Sequence, residues 1–82
     1  MTITVAGTSF NQLSEVAHLI SVGDLVKLIK EPTNPYDKNA VAVYYKGAKI
    51  GYIPKGYVAH TQEAVVDSLN TFEGQVVGLN IK

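Results

Sequence analysis

"AVAVYYKGAKIGYIP", residues 40–54, sets two β-rich runs on either side of the short turn "KGA", residues 46–48, which contains Gly47. This pattern predicts a β-hairpin, because glycine readily adopts the positive φ that tight hairpin turns require. Immediately before the hairpin lies "EPTNPYDKN", residues 31–39, whose two prolines each fix a backbone φ angle. The sequence therefore predicts a stiff segment, the proline corner (residues 31–39), that leads into a hairpin.

Three further strands and two helices are predicted outside the hairpin. Alternating apolar and polar residues are typical of strands, whereas apolar residues at three- and four-residue spacing predict helices. The predicted strands cover residues 2–7, 24–31 and 72–82, and the predicted helices cover residues 9–24 and 55–70. Gly74 and Gly78 predict a bend or a bulge in the last strand. The expected order is strand, helix, strand, hairpin, helix, strand.

This order favours a small closed barrel. A two-stranded ribbon is not stable alone, and the open edges of a sheet invite aggregation, so closure of the strands on themselves solves both problems. A chain of 82 residues is long enough for one small core. We therefore expect a mainly β protein with two helices, a small barrel of the OB-like or SH3-like type, as a single domain over residues 1–82.

Composition limits the function classes. The chain has no cysteine, which excludes thiolate zinc sites and favours a reducing compartment, here taken as cytoplasmic. Its apolar runs are far shorter than the ~18 residues that a membrane helix needs. His18 and His60 lie far apart in sequence, and no nucleophile, phosphate loop or carboxylate pair stands in a recognisable catalytic frame. We expect no catalytic residue, no metal and no cofactor.

The proline corner carries the best candidates for a binding site. Asp37 and Asn39 can accept hydrogen bonds from nearby backbone amides and hold the turn. Tyr36 either stacks on a nucleobase or plugs the mouth of the barrel, and composition alone favours the second. Tyrosines interleave with Lys30, Lys49 and Lys55. This pattern is typical of grooves for single-stranded nucleic acid, but also of ring stacking across a hairpin.

"LVKLIKEPTNPYDKNAVAVYYKGAKIGYIPK", residues 25–55, resembles the core signature of the HIRAN domain family, and "VAGTSF", residues 5–10, resembles the opening strand of that family. The resemblance implies an OB-like barrel that binds nucleic acid. In a eukaryotic member, a fork-remodelling ATPase, the domain binds the 3′ end of single-stranded DNA, and free-standing bacterial and phage copies are similar in sequence. The implied setting is DNA repair or processing beside a helicase or nuclease partner chain.

The resemblance also implies a set of binding residues. Tyr36 would stack on a terminal base, and Asp37 would accept a hydrogen bond from the terminal 3′-hydroxyl. Lys55 would meet a backbone phosphate. The full predicted set is Phe10, Lys30, Asn34, Tyr36, Asp37, Tyr52 and Lys55. Ser9 stands where the eukaryotic member has an arginine, and the net charge is zero, so DNA affinity should be weak. The alternative is a protein-interaction or regulatory module without DNA affinity.

Overall fold

The computed structural model describes residues 2–57, 61–70 and 76–81. Within these ranges, six strands form one antiparallel sheet in the order β1-β6-β5-β2-β3-β4. The strands are β1 (Thr2–Thr4), β2 (Leu25–Lys30), β3 (Val41–Tyr45), β4 (Ala48–Tyr52), β5 (Glu63–Asn70) and β6 (Val76–Asn80). One short α-helix, α1 (Leu13–Val16), lies between β1 and β2, with single 3-10 turns at Thr8–Phe10 and Ala17–Leu19 on either side.

The two outer strands of the sheet meet, so the sheet curls into a barrel-like shape. Beyond β1 the chain continues to Ala6, which pairs with Tyr52 at the end of β4. The amide of Ala6 donates to the Tyr52 carbonyl at 2.8 Å, and the amide of Tyr52 donates back at 2.9 Å. A Cβ at Gly51 would lie 2.5 Å from the Ala6 carbonyl oxygen. Glycine at this position therefore allows the two edges to approach.

The predicted hairpin is confirmed. β3 and β4 pair across a two-residue turn in which Lys46 and Gly47 have φ of 47° and 85°. Positive φ at both central positions is the geometry whose twist matches that of the flanking strands. Ala48, predicted within the turn, already belongs to β4.

The second predicted helix, over residues 55–70, is wrong. Glu63–Asn70 forms β5, and residues 58–60 lie outside the described parts of the chain. β5 pairs with β2 on one side and β6 on the other, so its backbone groups find hydrogen-bond partners that a sequence pattern does not show. The register shifts between Val66 and Ser68. This bulge interrupts the alternation of the strand, so that Val66 is buried and Leu69, three residues later, also packs against the core. Such a three-residue spacing is typical of a helix and not of a regular strand.

The first predicted helix, over residues 9–24, is much shorter than expected. Only α1 and the two 3-10 turns are helical, because Ile20 turns to an extended conformation and leads toward β2. The hydroxyl of Tyr45 donates toward the Leu19 carbonyl and the Asp24 carboxylate, each 3.0 Å away. These contacts link the segment that leads into β2 to strand β3 of the hairpin. The apolar stripe that predicted this helix consists of Leu13, Val16, Ala17 and Ile20. It is nevertheless on the inner side, since Leu13, Ala17 and Ile20 are buried and Val16 packs against the core.

The first of the two outer predicted strands is also shorter than expected. The first, over 2–7, is β1 followed by the single bridge at Ala6, and the last, over 72–82, is β6, with residues 71–75 and 82 outside the described parts. The bulge predicted at Gly78 in the last strand lies instead in the neighbouring strand β5, between Val66 and Ser68. Gly78 faces this bulge, and an added Cβ would collide with the Ser68 hydroxyl. Gly74, the other predicted bend, lies outside the described residues.

An aliphatic core fills the inside of the curled sheet. Fully buried side chains come from nearly every element, among them Leu13, Val26, Val43, Ile50, Val66, Val77 and Leu79. Among the described residues no charged or polar side chain is buried, so charged groups lie at the surface and at the mouth of the barrel. No helix in the described ranges is both long and apolar enough to cross a membrane.

Candidate functional site

A groove of about 470 Å³ opens at the mouth of the barrel, between the proline corner and the segment that follows β4. Three lysine side chains line it, together with one carboxylate and one tyrosine ring; these residues are Lys30, Lys38, Lys55, Asp37 and Tyr57. Pro32, Asn39, Val41 and Gly56 complete its walls. The groove therefore concentrates positive charge in a chain whose net charge is zero. Apolar wall atoms and a ring beside these charges suit an organic anion.

The end of β2 places Lys30 in this groove. Lys30 lies on the same face of the strand as the core residues Val26 and Leu28, so its side chain follows the inside of the barrel to its mouth. Its register partner, the buried Val41, forms part of the groove wall. Strand alternation thus determines on which side of the sheet this ammonium group lies.

The side chain of Asn34 organises the proline corner. Its Oδ1 accepts the backbone amides of Tyr36 at 2.8 Å and Asp37 at 3.1 Å. Its Nδ2 donates to Glu31 Oε1 at 3.0 Å. At the base of the corner the Glu31 amide donates to the Ala40 carbonyl at 2.9 Å. The corner is therefore held by hydrogen bonds within itself, in addition to the two prolines.

The corner directs Tyr36 outward. Its side chain is 94% exposed, which excludes the reading in which the ring plugs the barrel mouth. Asp37 is half-buried and lines the groove, and its Oδ1 accepts the amide of Asn39 at 2.9 Å. No partner for its Oδ2 is found among the described residues. The corner thus presents a free aromatic ring next to a carboxylate oxygen that can still accept a hydrogen bond.

A polar cluster lies on the outer side of the same corner. Lys49 Nζ donates to Glu31 Oε2 at 2.8 Å and to the Tyr52 hydroxyl at 3.1 Å, and that hydroxyl donates to Glu31 Oε1 at 2.8 Å. Hydrogen bonds lower the pKa of Glu31 to about 2, and the bond from Lys49 has a larger effect than the bond from Asn34. Hydrogen bonds also raise the pKa of Lys49 well above its usual range, and the bond to Glu31 has a larger effect than the bond to Tyr52. Both groups are therefore charged near neutral pH.

The structure separates the seven predicted residues by location. Lys30, Asp37 and Lys55 line the groove, and Tyr36 projects from the corner beside them. Asn34 and the hydroxyl of Tyr52 each donate a hydrogen bond to Glu31.

Phe10 is 90% exposed but does not line the groove. The segment after its 3-10 turn is held beside β4, where Gln12 exchanges hydrogen bonds with the backbone of Lys49. Phe10 is therefore a candidate for contact with a ligand that extends beyond the groove.

Among the charged and aromatic groove residues, Lys38 and Tyr57 were missed by the sequence analysis. Lys38 could have been found, because it sits within "NPYDKN" beside Asp37. Tyr57 was assigned to a helix that does not exist, and only the turn closed by the hydrogen bond from its amide to the Pro54 carbonyl brings it to the groove. In the described part of the chain, no three His, Asp or Glu side chains cluster closely enough to hold a metal ion.

Comparisons with known proteins identify the family and support the fold. The family model of the HIRAN domain matches residues 1–80. Over 59 residues the chain is 36% identical to the helicase-like transcription factor of Oryctolagus cuniculus, a stretch that covers 71% of this chain and 6% of that protein. A crystal structure of a Lactobacillus plantarum protein matches with a TM-score of 0.84 and 27% identity, covering 95% of this chain and 85% of the other.

Proposed function

Because this chain belongs to the HIRAN domain family, we propose that it is a non-catalytic module that binds single-stranded DNA at a free 3′-hydroxyl end. The observation that carries the proposal is the groove, where three lysines and one partly free carboxylate lie next to an exposed ring. Nucleic-acid binding is the property associated with the family. A place in DNA repair or processing, beside a helicase or nuclease, follows from the same proposal.

The exposed Tyr36 and the charged residues of the groove have separate tasks in this proposal. Tyr36 stacks on the terminal base, and such a contact contributes about 1–3 kcal/mol. Asp37 Oδ2 accepts a hydrogen bond from the 3′-hydroxyl. A 3′-phosphate has no such donor when ionised, and its charge is repelled by the carboxylate. Lys30, Lys38 and Lys55 pair with backbone phosphates, which supplies affinity without regard to base sequence.

The direct test is a titration with fluorescent oligonucleotides that differ only at the 3′ terminus. We expect the hydroxyl end to bind more tightly than the phosphate end, by roughly the tenfold or more that one charge-assisted hydrogen bond and one removed repulsion supply. In Asp37→Asn the preference should shrink, because the amide no longer repels phosphate.

Asp67→Asn is the matched control for this titration. Asp67 lies on β5, where it accepts a hydrogen bond from the Thr2 hydroxyl, and it does not line the groove. The control removes the same charge and should keep the wild-type preference. Equal affinity of the wild-type protein for the two ends would contradict end recognition.

The alternative is a protein-interaction or regulatory module with no DNA affinity. It is favoured by the zero net charge and by Leu25 and Ile29, which are 60% and 46% exposed on the outer face of β2. The same titration separates the two functions. Absence of binding to any oligonucleotide at low salt would support this alternative.

A further inference from the structure

Glu31 connects β4 to the proline corner through a shared carboxylate. Its Oε2 accepts Lys49 Nζ at 2.8 Å, and its Oε1 accepts both the Tyr52 hydroxyl at 2.8 Å and Asn34 Nδ2 at 3.0 Å. Lys49 and Tyr52 are on β4, which is hydrogen-bonded to β3. The carboxylate is therefore held from β4 and in turn holds the side chain of Asn34.

The orientation of Asn34 matters because its amide group is planar. When Nδ2 points at Glu31, Oδ1 is directed at the backbone amides of Tyr36 and Asp37, which it accepts at 2.8 and 3.1 Å. Rotation of the amide by half a turn would place donors against donors. Glu31 thus selects the one orientation in which Asn34 can hold both amides.

We infer that Glu31 is a positioning residue for end recognition: it fixes the Asn34 amide, and through it the backbone from which Tyr36 and Asp37 project. The inference rests on the proposed function for its ligand. Glu31 itself does not line the groove, so its effect passes through Asn34. Its low pKa keeps it ionised and able only to accept hydrogen bonds across the working pH range.

A charge-conserving exchange tests this chain of contacts. Glu31→Gln alone sets an amide donor against either Asn34 or Lys49, and Asn34→Asp alone sets two carboxylates against each other. The double variant E31Q/N34D reverses the hydrogen bond, since the Gln amide can donate to the new carboxylate, and it keeps the wild-type net charge. Glu63→Gln, an exposed site on β5, controls for loss of one negative charge.

The first readout is hydrogen exchange of the Tyr36 and Asp37 amides by NMR, without DNA. Each single variant should speed this exchange roughly tenfold, the factor expected for one lost hydrogen bond, and the double variant should restore it. The second readout is the affinity ratio for hydroxyl and phosphate 3′ ends, which should fall in both single variants and recover in the double variant. Thermal melting confirms that each variant is folded, and Tyr52→Phe serves as a milder second variant.

The outcomes separate the two hypotheses. Wild-type exchange rates and end preference in a folded E31Q would overturn the positioning role, as would a folded double variant that fails to recover. If the wild-type protein binds no oligonucleotide, the proposed function fails, and the exchange rates alone decide whether Glu31 positions the corner.

Discussion

At the scale of single residues, exposure and partners distinguish side chains that hold the corner from those that are free to bind. Asn34 has both ends of its amide occupied, whereas the ring of Tyr36 is almost fully exposed. Sequence reasoning located both residues correctly on a stiff corner, because proline restricts φ whatever the tertiary context. It could not distinguish their roles, because the orientation of Asn34 depends on Glu31, which is held in turn by Lys49, 18 positions further along the chain from Glu31.

Tyr36→Ala should leave stability unchanged and weaken DNA binding. The exposed ring buries little surface, so the melting temperature should stay within about 2 °C of wild type. Loss of stacking should lower affinity by about 1–3 kcal/mol, roughly five- to a hundredfold. Tyr36→Phe keeps the ring and should retain affinity. A large loss of stability in Tyr36→Ala would show that the ring is part of the core.

Glu31 should give the protein an acid-sensitive contribution to stability. Its pKa is lowered from 4.5 to about 2 in the folded state, so between these values the unfolded chain binds more protons than the folded one. The contribution is therefore complete above pH 4.5 and is lost as pH falls toward 2. We expect it to be roughly 1–2 kcal/mol, since the ion pair keeps contact with water.

Urea unfolding at several pH values checks this prediction. The difference in unfolding free energy between wild type and Glu31→Gln should shrink as pH falls below 4.5. A difference that stays constant from pH 7 to pH 3 would refute it. The comparison by difference is needed because Asp24, whose pKa is lowered mainly by the hydrogen bond from the Ser21 amide and less by that from Tyr45, also contributes acid-sensitive stability.

At the scale of elements, local patterns were reliable where backbone geometry is decided locally. The β3–β4 hairpin follows from its turn, and the buried pair Val26 and Leu28 follows from alternation in β2. The prediction of a helix where β5 forms was wrong for two reasons. The bulge in β5 breaks the alternation, and the strand depends on pairing with its two neighbours, β2 and β6. A strand in the middle of a sheet is stabilised by hydrogen bonds that only the paired structure supplies.

Gly51→Ala should destabilise the contact that joins the two edges of the sheet. The new Cβ would lie 2.5 Å from the Ala6 carbonyl oxygen and from a Val5 methyl group. Overpacking of this kind costs about 1–3 kcal/mol. Gly23→Ala is the control, because it has open space but a φ of 98°, and so reports the cost of backbone conformation alone. Equal unfolding free energies for the two variants would argue against a close edge contact.

At the scale of the whole molecule, the folded barrel turns a chain of zero net charge into one with a local basic site. Lys30, Lys38 and Lys55 come from β2, the proline corner and the segment after β4, and the groove brings them together. Net charge alone predicted weak binding, yet affinity for DNA depends on the phosphates that a site neutralises rather than on the total charge of the protein. The sequence spacing of the three lysines does not predict that they line one groove.

Salt dependence of DNA binding should report the number of lysines in use. On single strands, each neutralised phosphate contributes roughly 0.7 to the slope of the logarithm of the association constant against the logarithm of salt concentration. If all three lysines pair with phosphates, this slope should therefore be about −2. Lys38→Ala should reduce the slope by about 0.7. Lys27→Ala, which removes an exposed lysine of β2 that does not line the groove, should leave it unchanged. Equal slopes for the two variants would show that Lys38 does not pair with a phosphate.

The sequence by itself determined the features that depend on near neighbours: the hairpin turn, the stiff corner, the inward stripe of Leu13, Ala17 and Ile20, and the placement of Tyr36 beside Asp37. Tertiary structure decided the features that need partners distant in sequence, namely the strand β5, the meeting of Ala6 with Tyr52, the lysine groove and the Glu31–Lys49 pair. The physical reason is the range of the interactions. Backbone φ limits and alternation act over a few residues, whereas sheet hydrogen bonds and ion pairs form only after the chain has folded back on itself.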